Sequence, residues 1–224
     1  KQEALRKQLT ADVAHELRTP LATLQSHMEA MIDGIWKPDP ERLKSCHEEI
    51  MRINRMIGDL EKLARYESEN LILTETNFDI SELIRNIINN FEKDFLNKDV
   101  AIIFNGENTG LKADKDKISQ VLVNLLSNAI KYTPQGRTVK VAVKDCNDIV
   151  EIAVEDNGMG ISPEDLPHIF ERFYRADKSR NRLTGGAGIG LTITKAIVEA
   201  HKGKIQVQSK INEGTKFIIS LPKG

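Results

Sequence analysis

Two long stretches of helical hydrophobic periodicity open the chain, and they constrain its fold more than any other feature. In the first stretch apolar residues recur every three or four positions, at Leu5, Leu9, Val13, Leu17, Leu21, Leu24, Met28 and Met31. After a break marked by glycine and proline, the second stretch carries Leu43, Cys46, Ile50, Ile53, Ile57, Leu60 and Leu63. This spacing predicts two amphipathic helices that form an antiparallel hairpin over residues 1–66.

A hairpin of this kind cannot bury both apolar stripes by itself. Pairing of two copies gives a four-helix bundle, so we predict a homodimer through the hairpin. The alternative is that the stripes pack on a second domain of the same chain. Residues 67–78 are polar and lack helical period, so we interpret them as a linker to that second domain, residues 79–224.

The second domain mixes helical and strand patterns. We predict helices over residues 80–96, 115–131 and 190–200, and strands over 100–104, 138–143, 149–155, 204–209 and 216–221. The last two strands follow each other closely and should pair antiparallel. The mixed order predicts an α+β sandwich, with a sheet covered by helices on one face.

Composition excludes several functions. The 224 residues include 32 basic and 33 acidic side chains, for a net charge of -1, so neither nucleic acid nor an anionic membrane surface is an expected partner. The two cysteines are far apart in sequence and fit a reduced, cytoplasmic setting. No apolar run reaches the ~18–20 residues that span a bilayer. The chain begins inside a predicted helix, so we expect a fragment that makes no membrane contact itself and belongs to a longer protein.

His15 lies on the polar side of the first predicted helix. It is two residues from both Val13 and Leu17, so at ~100° per residue it points about 200° away from each and faces solvent. Glu16 is its neighbour, and Thr19 lies one turn later on the same face. A histidine nucleophile needs one free ring nitrogen and a partner that fixes its tautomer, and Glu16 can be that partner. Taken alone, however, His15 could be a simple solvated histidine.

The helix predicted over residues 115–131 carries asparagines one turn apart, Asn124 and Asn128. Their carboxamide oxygens could ligate Mg²⁺, which prefers oxygen ligands and completes its shell with water and phosphate. Lys131 adds a cation for phosphate oxygens, and Tyr132 adds a ring surface for a base. Asparagine pairs are common on helices, so the segment gains weight only in combination with others.

Asp156, Gly158 and Gly160 follow a predicted strand directly. A carboxylate only accepts hydrogen bonds, so it suits the exocyclic amine of adenine and repels the carbonyl of guanine. The glycines would let the backbone approach the purine closely. An ordinary strand-ending turn is the alternative.

Gly186, Gly188 and Gly190 open the last predicted helix, where backbone N–H groups could bind phosphate. The terminal Gly-Lys-Ser/Thr of a Walker loop is absent, and no strand precedes the glycines, which argues against a dinucleotide-binding fold. Upstream, Arg172 and Arg175 stand among aromatic residues in a segment that we interpret as the hinge of a lid over the triphosphate.

The string His-Glu-Leu-Arg-Thr-Pro-Leu from His15 resembles the phosphoacceptor box of bacterial two-component sensor histidine kinases. Five later segments resemble that family's asparagine box, first glycine box, phenylalanine box, second glycine box and last glycine turn: 124–132, 156–160, 170–175, 185–191 and 214–215. The resemblance covers essentially the whole chain. It implies a phosphotransfer hairpin followed by an ATP-binding domain of the gyrase, chaperone and histidine kinase superfamily.

By this resemblance, ATP phosphorylates His15, Glu16 acts as the assisting base, and Thr19 positions water when the bundle dephosphorylates its partner. That partner is the receiver domain of a response regulator, and the parent protein is expected to be anchored in the cell membrane. Asn128 is the implied Mg²⁺ ligand and Asn124 its helper. The implied nucleotide contacts are these two asparagines and Lys131, Tyr132, Asp156, Gly158, Gly160, Arg172, Arg175, Gly186, Gly188, Gly190 and Thr215.

Two other functions stay open at this point. The first is an ATP hydrolase of the same superfamily, but such enzymes place a glutamate where Asn124 stands. The second is a non-catalytic dimeric scaffold or a pure phosphatase. The sequence does not identify the stimulus, the regulator, the arginine that touches the γ-phosphate, or whether phosphorylation occurs in cis or in trans.

Overall fold

The amino-terminal third forms the expected helical hairpin. The structure, a computed structural model, describes residues 2–67, 72–176 and 188–224; within these ranges it describes no side chain for residues 2–16, 59 and 62–67. Helix α1 spans Gln2–Ile32 and helix α2 spans Pro40–Glu67. In the part of the chain that the structure describes, no helix has the length and apolarity needed to cross a bilayer.

Residues at both ends of the turn between the two helices determine where α1 ends and α2 begins. Gly34 has a positive φ of 72°, a conformation that glycine adopts without strain. Asp39 Oδ1 accepts a hydrogen bond from the Arg42 backbone N–H at 2.8 Å, so Asp39 caps the start of α2. Pro40 then occupies the first helical position, where its missing N–H has no intrahelical partner to lose.

A single chain buries only part of the second apolar stripe. Cys46, Ile53 and Met56 are buried in the hairpin, and Leu60 packs against the core of the second domain, where α2 contacts a later helix. By contrast, the exposed fractions of Leu43, Ile50 and Ile57 are 50%, 43% and 41%. The stripe therefore meets the second domain at Leu60 and leaves the apolar side chains of Leu43, Ile50 and Ile57 partly uncovered.

In its described residues, 72–176 and 188–224, the second domain contains three helices, a two-stranded ribbon and a five-stranded sheet. The elements in chain order are β1 Thr76–Asp79, α3 Ile80–Lys98, β2 Ala101–Asn105, β3 Gly110–Ala113, α4 Lys115–Tyr132, β4 Thr138–Cys146, β5 Ile149–Asp156, α5 Gly190–Ala200, β6 Lys204–Lys210 and β7 Gly214–Pro222. The large sheet has the order β2-β4-β5-β7-β6. Among the strand pairs of the described residues β2–β4 alone is parallel, and β6–β7 is the expected antiparallel hairpin.

The core lies between one face of this sheet and the three helices. Val139, Val141 and Val143 alternate toward the helices along β4 and are buried, as the two-residue period of a strand requires. Helix α4 is buried along one stripe, through Ile118, Val121, Leu122, Leu125, Leu126 and Ala129. The predicted α+β sandwich with helices on one face is therefore confirmed.

Asp114 joins three parts of the domain at the start of α4. Its Oδ1 accepts the Lys117 backbone N–H at 3.1 Å and caps the helix, while its Oδ2 accepts the Thr74 N–H at 3.0 Å. Its own N–H donates to Nε2 of the buried His201 at 3.1 Å, and His201 Nδ1 therefore carries the proton and donates to the Ile197 carbonyl at 2.8 Å. The hydrogen bonds of Asp114 thus join three parts of the domain: the chain that enters it, the start of α4 and the end of α5.

Most predicted elements are present within a few residues of their expected ends. The ribbon of β1 and β3 was not predicted, and β1 falls mostly inside the segment 67–78 that was interpreted as a linker. The irregular stretch expected over residues 157–187 has no helix or strand in its described part, residues 157–176.

Candidate active site

The asparagine pair lies on α4, on the side where α5 begins. Asn124 Nδ2 donates to the Gly190 carbonyl at 3.1 Å and approaches Thr194 Oγ1 at 3.4 Å. Its amide nitrogen therefore ties α4 to the first turn of α5, which the sequence did not indicate. Asn128, half-buried, follows one turn later.

The two asparagine side chains suit a hard cation that takes most of its ligands from water and phosphate. Among the described residues no group of three or more His, Cys, Asp or Glu side chains could hold a metal ion. The side chains of Asn124 and Asn128 provide two carboxamide oxygens on this helix face. That set matches Mg²⁺, which takes few protein ligands and fills its shell with water and phosphate oxygens.

The last turn of α4 carries Lys131 and Tyr132. The Lys131 ammonium lies 4.8 Å from the centroid of the Tyr132 ring, and Tyr132 is 43% exposed. The Tyr132 backbone carbonyl accepts the Met159 N–H at 3.2 Å. This bond joins the end of α4 to the loop after β5, so two predicted nucleotide-binding segments meet here.

Asp156 ends β5 and is buried, with 8% of its surface exposed. Its Oδ1 accepts the Gly158 N–H at 2.8 Å. Burial raises the pKa of this carboxyl above its ordinary value, and the bonds from the Gly158 and Thr215 N–H groups oppose that rise in pKa. A carboxyl held this way, with acceptor capacity left over, can read an amine donor on a ligand.

Two glycines in the loop after β5 cannot be replaced without a clash. A Cβ on Gly158 would stand 2.4 Å from the Tyr132 carbonyl oxygen. Gly160 has a φ of +70°, and its Cβ would stand 2.0 Å from the Lys210 carbonyl oxygen. The loop therefore lies close against both the end of α4 and the β6–β7 turn, and glycine at these two positions is what permits the close packing.

Thr215 is buried beside Asp156 on the neighbouring strand and belongs to a small hydroxyl network. Ser209 Oγ lies 2.9 Å from Thr215 Oγ1, donates to the Gly214 carbonyl at 2.8 Å and accepts the Ile161 N–H at 2.8 Å. Sequence reasoning missed Ser209, since the only signal was a polar residue near the end of a predicted strand.

The start of α5 offers backbone donors. Ile189, at its N-cap position, provides no side-chain hydrogen bond to the first turn. Gly188 has a φ of +74°, and a Cβ there would stand 2.7 Å from the Phe173 carbonyl carbon. The first-turn N–H groups are therefore suited to an anionic ligand. Gly186, also predicted for this site, lies outside the described residues.

Arg172 and Arg175 lie in the segment beside this helix end, and both are half-buried. The segment is anchored by Phe170, whose ring meets Phe217 edge-on at 6.5 Å and whose carbonyl accepts the Thr192 hydroxyl at 3.1 Å. The predicted aromatic anchors are therefore present, and they hold the segment that carries the two arginines beside Gly188.

The predicted phosphoacceptor lies on α1. The side chains of His15 and Glu16 are outside the described residues, whereas Thr19 is exposed one turn further along the helix. The Thr19 carbonyl accepts the Thr23 hydroxyl at 3.1 Å, a bond within the helix that leaves the Thr19 side chain at the surface.

The sheet, its single helical layer and the polar site between α4, the Asp156 loop and α5 define a nucleotide-binding sandwich domain attached to a helical hairpin. Residues 113–224 match the family model of histidine kinase-, DNA gyrase B- and HSP90-like ATPases, and residues 5–69 match that of the His kinase A phosphoacceptor domain. The chain therefore belongs to the sensor histidine kinases and comprises their catalytic core, which confirms the resemblance found in the sequence.

The curated relatives are sensor kinases as well. The chain is 38% identical over 227 residues to the sensor protein kinase WalK of Staphylococcus haemolyticus, covering 98% of this chain and 37% of that protein. It is 37% identical over 229 residues to the sensor histidine kinase WalK of Bacillus subtilis, covering 99% of this chain and 37% of that protein. The chain thus spans little more than a third of these relatives.

Solved structures share the whole arrangement. The Acinetobacter baumannii histidine kinase AdeS superposes with a TM-score of 0.77 at 29% identity, covering 94% of this chain and 98% of that one. The histidine kinase ThkA, solved in complex with the response regulator protein TrrA, superposes with a TM-score of 0.82 at 27% identity, covering 100% of this chain and 63% of that one.

Proposed function

We propose that this chain transfers the γ-phosphoryl group of ATP to His15 and then to an aspartate of a response regulator. One observation carries the nucleotide half of the proposal. A buried carboxylate, Asp156, shares a site with the asparagine face of α4 and the uncapped start of α5. The phosphoacceptor half is supported by the family match of the hairpin that bears His15.

The adenine end of ATP is assigned to the Asp156 loop. Asp156 accepts a hydrogen bond from the exocyclic amine, while Gly158 and Gly160 let the backbone lie close to the ring. Tyr132 covers the base from the end of α4. Thr215 supports the carboxylate from the neighbouring strand, through its backbone N–H.

The phosphate end is assigned to α5 and the cations around it. Backbone N–H groups following Gly186, Gly188 and Gly190 donate hydrogen bonds to phosphate oxygens, and Lys131, Arg172 and Arg175 neutralise the remaining negative charge. Asn128, with Asn124 as its helper, is proposed to hold Mg²⁺, which when bound neutralises charge on the phosphate oxygens.

The chemical step is a substitution at the γ-phosphorus. A ring nitrogen of His15 forms the new P–N bond as the bond between the γ-phosphorus and the β,γ-bridging oxygen breaks, and ADP leaves with that electron pair. Glu16 accepts the hydrogen bond of the other ring nitrogen and stabilises the positive charge that develops on the ring. The phosphoryl group then passes to a carboxylate of the regulator, and Thr19 positions water for the later hydrolysis of that acyl phosphate.

The partners follow from the surfaces of the hairpin. The uncovered stripe of Leu43, Ile50 and Ile57 supports a homodimer in which two hairpins form a four-helix bundle. A response regulator docking beside His15 is supported by the regulator complex of the similar kinase ThkA. We further propose that the parent protein is membrane-anchored and that the present segment lies in the cytoplasm.

The test is phosphorylation with γ-labelled ATP and Mg²⁺, comparing the chain with His15→Gln. We expect acid-labile, base-stable label on the parent chain and none on the variant. His47→Gln, which removes an exposed histidine from α2, is the matched control and should keep its label. Label that survives on His15→Gln would place the acceptor elsewhere.

The same preparation distinguishes a kinase from an ATP hydrolase of this superfamily. An asparagine is a poor base, so steady-state release of phosphate by a chain with Asn124 should be slow. Rapid release that persists in His15→Gln would favour the hydrolase and contradict the proposed kinase.

A further inference from the structure

Arg137, which stands just before β4, reaches the loop that follows Asp156. Its Nη1 donates to the Gly158 carbonyl at 3.3 Å and also to the Asn157 carbonyl. The Arg137 backbone carbonyl accepts the Ala101 N–H at 2.8 Å, at the start of the parallel pair β2–β4. The backbone from which the Arg137 side chain extends is therefore held in place by the hydrogen bonding of the sheet.

These contacts complete the restraint of two consecutive peptide units. In the first unit, the Gly158 N–H is bound by Asp156 Oδ1 and the Asn157 carbonyl is bound by Arg137. In the second unit, the Met159 N–H is bound by the Tyr132 carbonyl and the Gly158 carbonyl is bound by Arg137. Each unit is thus held at both ends, and Arg137 supplies the donor at both carbonyl ends.

The restraint matters because of the residue type at the centre of the loop. Glycine has access to more backbone conformations than any other residue, so peptide units flanking Gly158 can rotate unless both ends are bound. A rotation of the first unit would take the Gly158 N–H away from Asp156. A guanidinium is suited to prevent this because its donors are rigidly arranged and its hydrogen bonds are charge-assisted.

We propose that Arg137 is a positioning residue for adenine selection. By fixing the Asn157 and Gly158 carbonyls, it keeps the Gly158 N–H on one oxygen of Asp156 and thereby aims the other oxygen at the purine amine. Arg137 acts through Asp156 and not by contacting the nucleotide. The inference rests on the proposed function, since it takes Asp156 to be the group that reads adenine.

The experiment measures the dissociation constants of ATP and GTP, each with Mg²⁺, on the whole chain and on Arg137→Met. We expect ATP binding to weaken about tenfold, because a misdirected Asp156 loses its charge-assisted hydrogen bond to the purine amine. GTP binding, which gains nothing from the carboxylate, should change little, so the preference for ATP falls by a similar factor. Arg137→Lys keeps one charged donor and should recover part of the preference.

Lys144→Met removes an exposed basic residue from β4 and is the matched control, expected to keep the parent preference. A purely structural role would lower the melting temperature of Arg137→Met while leaving the ATP-to-GTP ratio unchanged, and that result would overturn the inference. Amide hydrogen exchange gives an independent readout, because Gly158 and Met159 should lose protection in the variant while the core of β5 keeps it.

The inference and the proposed function fail in different ways. If the parent chain shows no preference for ATP over GTP, the assignment of Asp156 fails first. If the parent prefers ATP and Arg137→Met retains that preference, only the role of Arg137 is refuted.

Discussion

Replacing Asp156 with asparagine should separate ATP binding from folding. In the structure one carboxylate oxygen accepts the Gly158 N–H at 2.8 Å, and the proposed function gives the other oxygen to adenine. A carboxamide has a single oxygen, so Asp156→Asn can serve either the loop or the base, but not both. The NH₂ group of the introduced asparagine would then face either the purine amine or the Gly158 N–H, and both of these are donors.

The size of the effect follows from the bond that is lost. A hydrogen bond to a charged group contributes about 1.5–3 kcal/mol, so ATP binding should weaken by about 10- to 150-fold. Isothermal titration with ATP and Mg²⁺ measures this directly. Glu155→Gln, which removes a neighbouring half-exposed carboxylate paired with Lys216 at 3.2 Å, is the control and should bind ATP within about twofold of the parent.

The stability of the ligand-free chain should move in the opposite direction. Burial raises the pKa of Asp156, so ionisation disfavours the folded state. This penalty is absent below the pKa of the unfolded chain, grows as pH rises toward the raised folded pKa, and is complete above it. Asp156→Asn removes the penalty, so at neutral pH its melting temperature should not fall below that of the parent. A variant that loses both ATP binding and several degrees of melting temperature would show misfolding and refute the assignment.

The same raised pKa predicts that ATP affinity of the parent falls on acidification earlier than an ordinary aspartate would cause, because protonation removes the acceptor. Asp156→Asn should lack this step.

The remaining predictions concern four other positions. Glu16→Ala should reduce labelling of the histidine, whereas Thr19→Ala should spare labelling and reduce dephosphorylation of the regulator; equal effects on both activities would contradict these roles. Gly160→Ala should destabilise the domain by about 2 kcal/mol or more in urea unfolding, because its φ is +70° and its Cβ would meet the Lys210 carbonyl at 2.0 Å. Asn128→Ala should weaken ATP binding only when Mg²⁺ is present, so a variant that loses affinity equally in EDTA would exclude the metal role.

The sequence predicted those helices and strands whose formation depends mainly on residues close together in the chain. Helix α5 was predicted at its observed bounds, since glycines precede it and apolar residues follow at helical spacing. The ribbon of β1 and β3 was missed because each strand has only four residues and its pairing joins segments more than thirty residues apart. A four-residue strand has too few positions for alternation to be distinguished from a loop.

In the candidate active site, too, some residues could be predicted from the local sequence and others could not. Asp156, Gly158 and Gly160 could be found from a carboxylate and two glycines placed after a strand. The bond from Asn124 to Gly190 could not, because both residues satisfy their own helical patterns and only the packing of α4 on α5 brings them together. Long-range contacts of this kind leave no period in the sequence.

The hydrogen bonds made by Asp114 have a mechanical consequence. The chain arriving from the hairpin is bound at the first residues of α4, through the Thr74 N–H, while Lys131 and Tyr132 stand at the opposite end of the same helix. Eighteen residues at 1.5 Å each make α4 a strut of about 27 Å. A pull or a twist from the hairpin would therefore act on one end of α4, whose other end carries the side chains proposed to contact ATP.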